Sequence, residues 1–213
     1  MIKPMLRRLF RLCGYEILCL TPAQRKTLLS QPSLRYRDLI ARSALANPMG
    51  QISLKEASFL GDLVSSAAGS GPIIEVGTLF GWSTRIMAMR KPADKELITV
   101  DDYSYNPLNL SSAVHYGITA EILAEAVSKF KVKQMRMSKE SFYASYRGGP
   151  PALVFLDALH TYESTRADIN WAKSVGATVI CGHDYDINRF PGVVQAVKEF
   201  DGPWKLVETL WVL

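Results

Sequence analysis

Glu75, Gly77, Thr78, Gly81 and Ser83 fall within nine residues, in the run Ile73-Ile74-Glu75-Val76-Gly77-Thr78-Leu79-Phe80-Gly81-Trp82-Ser83-Thr84. A glycine-bearing turn leading into a helix start leaves backbone N–H groups open and aims the positive helix end at the same place. Glycine also lets a ligand approach the backbone closely. Glu75 qualifies that anion-binding reading. A carboxylate two residues before the first glycine repels a diphosphate and favours a cationic or hydroxyl-rich ligand. The Gly-x-x-x-Gly spacing also departs from the Gly-x-Gly-x-x-Gly dinucleotide fingerprint. Asp101 stands 20 residues beyond Gly81, the separation at which an acid accepts hydrogen bonds from ribose hydroxyls. Farther along come Asp157 with His160, and His183 with Asp184. Imidazole titrates near neutral pH, so His160 is the candidate general base and His183 its competitor.

These groups are useful only if the fold collects them. Residues 73–76, 97–100, 132–137, 152–156 and 178–181 are short, mainly apolar runs, read as buried strands. Each delivers a polar residue at its end: Glu75, Asp101, Ser138, Asp157 or His183. Helical patterns separate them, at 85–90, 118–131, 165–173 and 193–200, and Ser53-Leu54-Lys55-Glu56 forms a capping box before an apolar helical face. Alternating strands and helices predict an α/β chain with a Rossmann-like, doubly wound, mostly parallel sheet of six or seven strands. In such sheets ligands sit beyond the carboxyl ends of the strands. Residues 204–213 are strand-like but few for a closing hairpin, so a strand there is expected to be missing or short. Residues 103–116 lack periodicity and are expected to form a loop walling the site.

S-adenosylmethionine suits the glycine corner: its carboxylate can use the helix start and Ser83, and its ammonium and sulfonium tolerate Glu75. At this point the sequence resembles the class I S-adenosylmethionine-dependent methyltransferases, whose first motif has this Glu-x-Gly-x-x-x-Gly-x-Ser form. The segments Leu156-Asp157-Ala158-Leu159-His160-Thr161-Tyr162-Glu163, Asp168, Gly182-His183-Asp184-Tyr185 and Pro191-Gly192-Val193 look like a bacterial O-methyltransferase group. That group is related to macrocin O-methyltransferase, to cephalosporin hydroxylase-like proteins and, distantly, to catechol O-methyltransferase. The resemblance covers about residues 50–213. It implies methyl transfer to a hydroxyl of a small molecule, a sugar or phenolic natural product, with Glu75, Gly77, Thr78, Gly81, Ser83, Asp101, Ser138 and Asp157 binding the cofactor. Ser138 would contact adenine, although a serine there is also a common helix cap. The resemblance further implies a divalent metal, Mg²⁺ or Mn²⁺, on Asp157, His183 and Asp184. The imidazole among these departs from the oxygen ligands Mg²⁺ prefers, and suits Mn²⁺, Fe²⁺ or Zn²⁺ better. A metal-free site in which His183 joins His160 in binding acceptor stays equally open.

Charge divides the chain. Residues 1–42 hold nine Lys and Arg against Glu16 and Asp38, while the whole chain is only +5, so the remainder is slightly acidic. Residues 1–50 are expected to form a basic helical arm and 51–213 the catalytic domain. The arm reads as a solvated face, as peripheral contact with an anionic membrane, or as a dimer contact. No nucleic-acid partner is expected, since the domain itself is acidic. The first twenty residues do not read as a signal peptide, and Cys13, Cys19 and Cys181 form no pairing pattern, so a cytoplasmic setting is expected. The competing function is a cofactor-binding module without transferase activity that docks to a membrane or nucleic acid through its basic arm.

Overall fold

The computed structural model describes residues 52–105 and 110–213. The chain divides between residues 43 and 44 into two units, and the described residues lie wholly in the second. The expected arm over 1–50, with its helices and its membrane or dimer contacts, lies outside the described residues.

Helix α1 (Leu54–Ser65) opens on the capping box: Ser53 Oγ accepts the Glu56 N–H at 3.2 Å, and Glu56 Oε2 accepts the Ser53 N–H at 2.7 Å. Strand β1 (Ile73–Val76) and helix α2 (Trp82–Arg90) flank the glycine corner. Strand β2 (Leu97–Asp101) leads to helix α3 (Ser112–Lys129), then strand β3 (Val132–Arg136) and helix α4 (Lys139–Ser145). Strand β4 (Leu153–Leu156), helix α5 (Tyr162–Ser174), strand β5 (Ile180–Gly182) and helix α6 (Pro191–Glu199) follow. The short strands β6 (Lys205–Val207) and β7 (Leu210–Val212) end the chain.

The sheet order is β3-β2-β1-β4-β5-β7-β6, with β1 to β5 parallel and the last hairpin antiparallel. Among the described residues the sheet has seven strands, so the closing hairpin is complete, with both of its strands at three residues. Chain direction reverses between β1 and β4, which makes their carboxyl ends the switch point where ligands bind.

Strand alternation decides which side chains face which helices. Ile73, Leu97, Leu153 and Phe155 pack with Leu60 and Val64 of α1, Met87 of α2 and Leu123 of α3. Ile74, Val76, Val154 and Leu156 pack with Phe142 of α4, Ile169 of α5, and Val193 and Val197 of α6. Three helices therefore cover each face. By the same alternation Glu75 shares the face of Ile73 and is directed under α2.

Helix α3 starts six residues earlier than the periodicity suggested. Ser111 caps it by accepting the Val114 N–H, and the first turns bury His115 and Thr119 against the glycine corner. Polar residues thus face inward at the start of α3, which erases the apolar stripe by which a helix is recognised.

Candidate active site

The corner between β1 and α2 is locked from several sides. Gly77 has φ of +103°, and a Cβ there would lie 1.9 Å from the Asp157 carbonyl oxygen. The glycine is thus demanded by the close approach of the chain leaving β4, itself fixed by the Asp157 N–H donating to Val76 O at 2.8 Å. Gly81, at φ +78°, abuts Leu123 of α3. Asp101 Oδ2 accepts the N–H groups of Thr78 (2.9 Å) and Leu79 (2.8 Å), and Oδ1 accepts the Tyr103 N–H at 2.6 Å. A carboxylate offers about four acceptor directions, so one remains for an incoming hydroxyl. Two N–H donors expected to meet a ligand are instead satisfied within the protein.

Glu75 corrects the sequence reading. It is fully buried, and its carboxylate accepts hydrogen bonds from Ser83, from Thr84 and, at 2.6 Å, from its cross-strand register partner Thr99. The Thr99 hydroxyl, having given its hydrogen to Glu75, accepts from Thr78 Oγ1 at 2.5 Å. Thr78 and Ser83, both buried, therefore turn their side chains to the core and not to a ligand. Burial pushes the Glu75 carboxyl up to about 7, against the pull of the three hydroxyls and with a further push from Asp157. The acid acts as a latch joining β1, β2 and the start of α2.

At the carboxyl ends of β4 and β5 lies a polar cluster. His160 Nε2 is 2.8 Å from Asp184 Oδ2 and 3.5 Å from Asp157 Oδ1, and its ring lies 4.6 Å from that of Phe190. Burial would lower its pKa, but the two carboxylates outweigh this and raise it to about 9. Asp184 takes up a left-handed backbone, φ 62°. Burial opposes its ionisation, yet the two imidazoles hold its carboxyl well below the ordinary range. The backbone of Gly192 is pressed against residues 160–162, where a Cβ would lie 2.5 Å from the Tyr162 nitrogen. Pro191-Gly192 is therefore the device that brings α6 close to the His160 loop.

His183 is placed differently from the expected metal ligand. It is buried, with Nε2 at 3.0 Å from Thr209 Oγ1 and 3.3 Å from Glu56 Oε1. Its Nδ1 stands 3.4 Å from Asp184 and 3.9 Å from Asp157, near enough for charge attraction but not aligned for a hydrogen bond. Burial is again outweighed, here by Asp184 and Glu56, and its pKa rises to about 10. Among the described residues, the acids and imidazole whose ligand atoms all lie within 4.8 Å of one another are Asp157, His160 and Asp184. His160 thus replaces His183 in the expected triad, because Glu56 and Thr209 draw the His183 ring inward. Neither partner was singled out in the sequence for this role. Glu56 reads there as a cap and nothing more, and Thr209 lies 26 residues from His183.

Ser138 caps α4, accepting the Ser141 N–H at 3.2 Å. It follows Met137, whose N–H donates to Asp101 O at 3.1 Å, so it stands at the same sheet edge. His115, expected in a loop, is buried in α3 between Phe80 (4.4 Å) and Tyr103 (5.1 Å), with neither ring nitrogen hydrogen-bonded. Burial lowers its pKa, against the pull of Asp101.

The arrangement offers a glycine corner beside one acceptor-bearing acid and, on the other side of the switch point, a half-exposed imidazole between two carboxylates. The first suits a nucleoside, and the second suits moving a proton. The family described as "Methyltransferase domain" matches residues 74–185. No curated protein matches the chain in sequence. Solved structures share the fold, among them the following three. The cofactor-bound protein Rv0187 from MTB is 22% identical, with a TM-score of 0.58 over 86% of this chain and 85% of its own. The O-methyltransferase from Bacillus cereus, in complex with SAH, is 20% identical, with a TM-score of 0.56 over 87% and 80%. TomG, an O-methyltransferase from Streptomyces achromogenes involved in tomaymycin synthesis and in complex with SAM, is 19% identical, with a TM-score of 0.56 over 94% and 85%. Spanning more than half of the chain and taking in both the glycine corner and the polar cluster, the family match makes this protein a member of the methyltransferase-domain family.

Proposed function

We propose that this protein transfers a methyl group from S-adenosylmethionine to a hydroxyl oxygen of a small-molecule acceptor, with His160 receiving the hydroxyl proton. The observation that carries the reading is the placement of His160, held between Asp157 and Asp184, across the β1/β4 switch point from the glycine corner. Support comes from the family match and from the SAM and SAH bound to the two named O-methyltransferases. The corner fits the cofactor: Gly77 and Gly81 let the chain leaving β4 and helix α3 close tightly on the turn, and Asp101 retains one acceptor direction for a ribose hydroxyl. Bound there, S-adenosylmethionine supplies an activated methyl group on sulfur.

The protein's part is then to align and to deprotonate. Alignment of reacting groups is worth on the order of 7–11 kcal/mol, and a positioned base about 10²–10⁴-fold. Asp157 and Asp184 orient the His160 ring and stabilise its charged form, with Asp184 Oδ2 receiving its Nε2 hydrogen. Their attraction also raises the pKa of His160, so the neutral form able to accept a proton grows as pH rises towards about 9. Calorimetry with SAM and SAH, followed by methyl transfer to sugar and phenol acceptors, tests the proposal. Binding with transfer is expected. Binding without transfer to any acceptor would instead favour a cofactor-binding module.

A divalent ion is a second reading, favoured by the convergence of Asp157, His160 and Asp184. Two carboxylates and an imidazole suit Mn²⁺, Fe²⁺ or Zn²⁺, and such an ion would supply Lewis acidity to the acceptor oxygen. It requires neutral His160, so metal and proton compete. Mn²⁺ titration followed by electron paramagnetic resonance should show binding that strengthens with pH and is lost in Asp184→Asn. Free Mn²⁺ at every pH would remove the ion from the account.

A further inference from the structure

Glu56 holds more contacts than its place at a helix start requires. A capping box uses one carboxylate oxygen, and Oε2 fills that role on the Ser53 N–H. Oε1 points the other way. It accepts the Thr209 N–H at 2.8 Å and the Thr209 hydroxyl at 2.7 Å, and lies 3.3 Å from His183 Nε2. The carboxylate is 3% exposed at the residue level, so water does not share these contacts. The hydroxyl of Thr209 has one hydrogen, which goes to Glu56. At 3.0 Å from His183 Nε2, its oxygen must therefore accept, and Nε2 must carry the hydrogen. The His183 ring is thereby fixed in direction, its Nε2–H turned to Thr209 and Glu56 and its Nδ1 facing Asp157 and Asp184, the two acids that hold His160.

From this geometry we propose that Glu56, acting with Thr209 through His183, is a positioning residue for His160. It stands on α1 and Thr209 before β7, both outside the span 74–185 that the family shares, so the catalytic cluster is oriented by parts of the chain beyond the family's common stretch. The inference rests on the reading of His160 as the proton acceptor, but its test needs no acceptor and no turnover.

The chain has only three histidines, His115, His160 and His183, so ¹⁵N-histidine labelling of the full chain gives three resolvable imidazoles, assigned by their loss in His→Gln variants. In the unaltered protein His183 should show a slowly exchanging Nε2 hydrogen. Glu56→Gln, which keeps a carbonyl oxygen for the cap, should abolish that slow exchange. It should also shift the His160 resonances, although Glu56 does not touch His160. Thr209→Val should reproduce the effect on both rings, and Thr209→Ser, which keeps the hydroxyl, should restore both spectra. Should Glu56→Gln fail to fold, the Val and Ser variants of Thr209 decide alone. His160 resonances that coincide with those of the unaltered protein in Thr209→Val, or that shift equally in Thr209→Ser, would overturn the proposal. A merely structural role would alter melting temperature and leave the His160 signals in place.

Discussion

Replacing Glu75 with glutamine isolates the buried latch, and its consequence should be a change in how stability depends on pH. In the folded protein the Glu75 carboxyl is pushed from 4.5 up to about 7 by complete burial. Each tenfold change in proton affinity is worth about 1.4 kcal/mol, so the ionised form costs the fold about 3 kcal/mol relative to the protonated form. The sign follows from linkage: where the folded state holds its proton more tightly than the unfolded chain, the stabilisation is complete below the unfolded pKa and is lost as pH rises through the folded one. The window here is pH 4.5 to 7. His160 and His183, also raised, lose stability in the same direction but at higher pH, between their unfolded values near 6.5 and about 9 to 10, so the comparison must be between variants and not within one curve. In Glu75→Gln the amide keeps one acceptor, and the hydroxyls of Ser83, Thr84 and Thr99 can turn to accept from its NH₂. The variant should be about 1 kcal/mol less stable at pH 5, the worth of one imperfect hydrogen bond. At pH 8 it should be equal or more stable, because the unaltered protein alone loses 2–3 kcal/mol over that interval. Urea unfolding at pH 5 and pH 8, analysed by linear extrapolation, measures both quantities. A stability difference that stays the same at the two pH values would refute the assignment of Glu75 as the titrating latch.

Asp101→Ala strips the acceptor from the Thr78, Leu79 and Tyr103 amides as well as from a ribose, and should weaken SAM binding more than tenfold, about 1.4 kcal/mol. Calorimetry giving unchanged affinity would take Asp101 out of the site. The rate of methyl transfer should climb with pH towards about 9, following His160. His160→Ala should flatten that rise while SAM affinity, measured separately, stays as it was. Gly77→Ala meets the Asp157 carbonyl at 1.9 Å in a left-handed backbone and should cost about 3 kcal/mol or more of unfolding free energy. Gly117→Ala, inside α3 and touching nothing within 4 Å, should add about 0.5–1 kcal/mol, so similar urea midpoints for the two would discredit the packing argument.

The parallel strands and their delivery of polar residues to one sheet edge were legible because buried strands are short apolar runs, and Gly77 and Asp157 punctuate them. The roles of the corner's side chains were not. Spacing along a chain says that Glu75 precedes a glycine turn, but helices cover both faces of β1, so what its carboxylate meets depends on the partners waiting there. Glu75 lies on the face of Ile73, and its register partner Thr99 lies on the face of Leu97, so both are covered by helices. Ser83 and Thr84, eight and nine residues on, reach back with Thr99 and make the carboxylate a latch, where its nearness to Gly77 alone reads as a ligand contact.

The cluster around His160 shows a limit of a different kind. Asp157 and His160 are three residues apart and His183 and Asp184 are adjacent, so the sequence puts all four on the page, and the parallel pairing of β4 with β5 brings them together. Which histidine faces outward is settled by residues remote in sequence: Glu56 lies 127 positions before His183, and Thr209 26 after it. Thr209 and Glu56 hold the Nε2 edge of the His183 ring inward, and a hydrogen bond to a charged group is worth about 1.5–3 kcal/mol. Partners on α1 and before β7 therefore select His183 as the inner histidine and leave His160, with 28% of its side chain exposed, as the one that can meet an acceptor. Exchanging those partners, for instance by Glu56→Leu with Thr209→Val, removes what holds the His183 ring inward. The division of labour between the two histidines should then fail even though every residue of the cluster itself is intact.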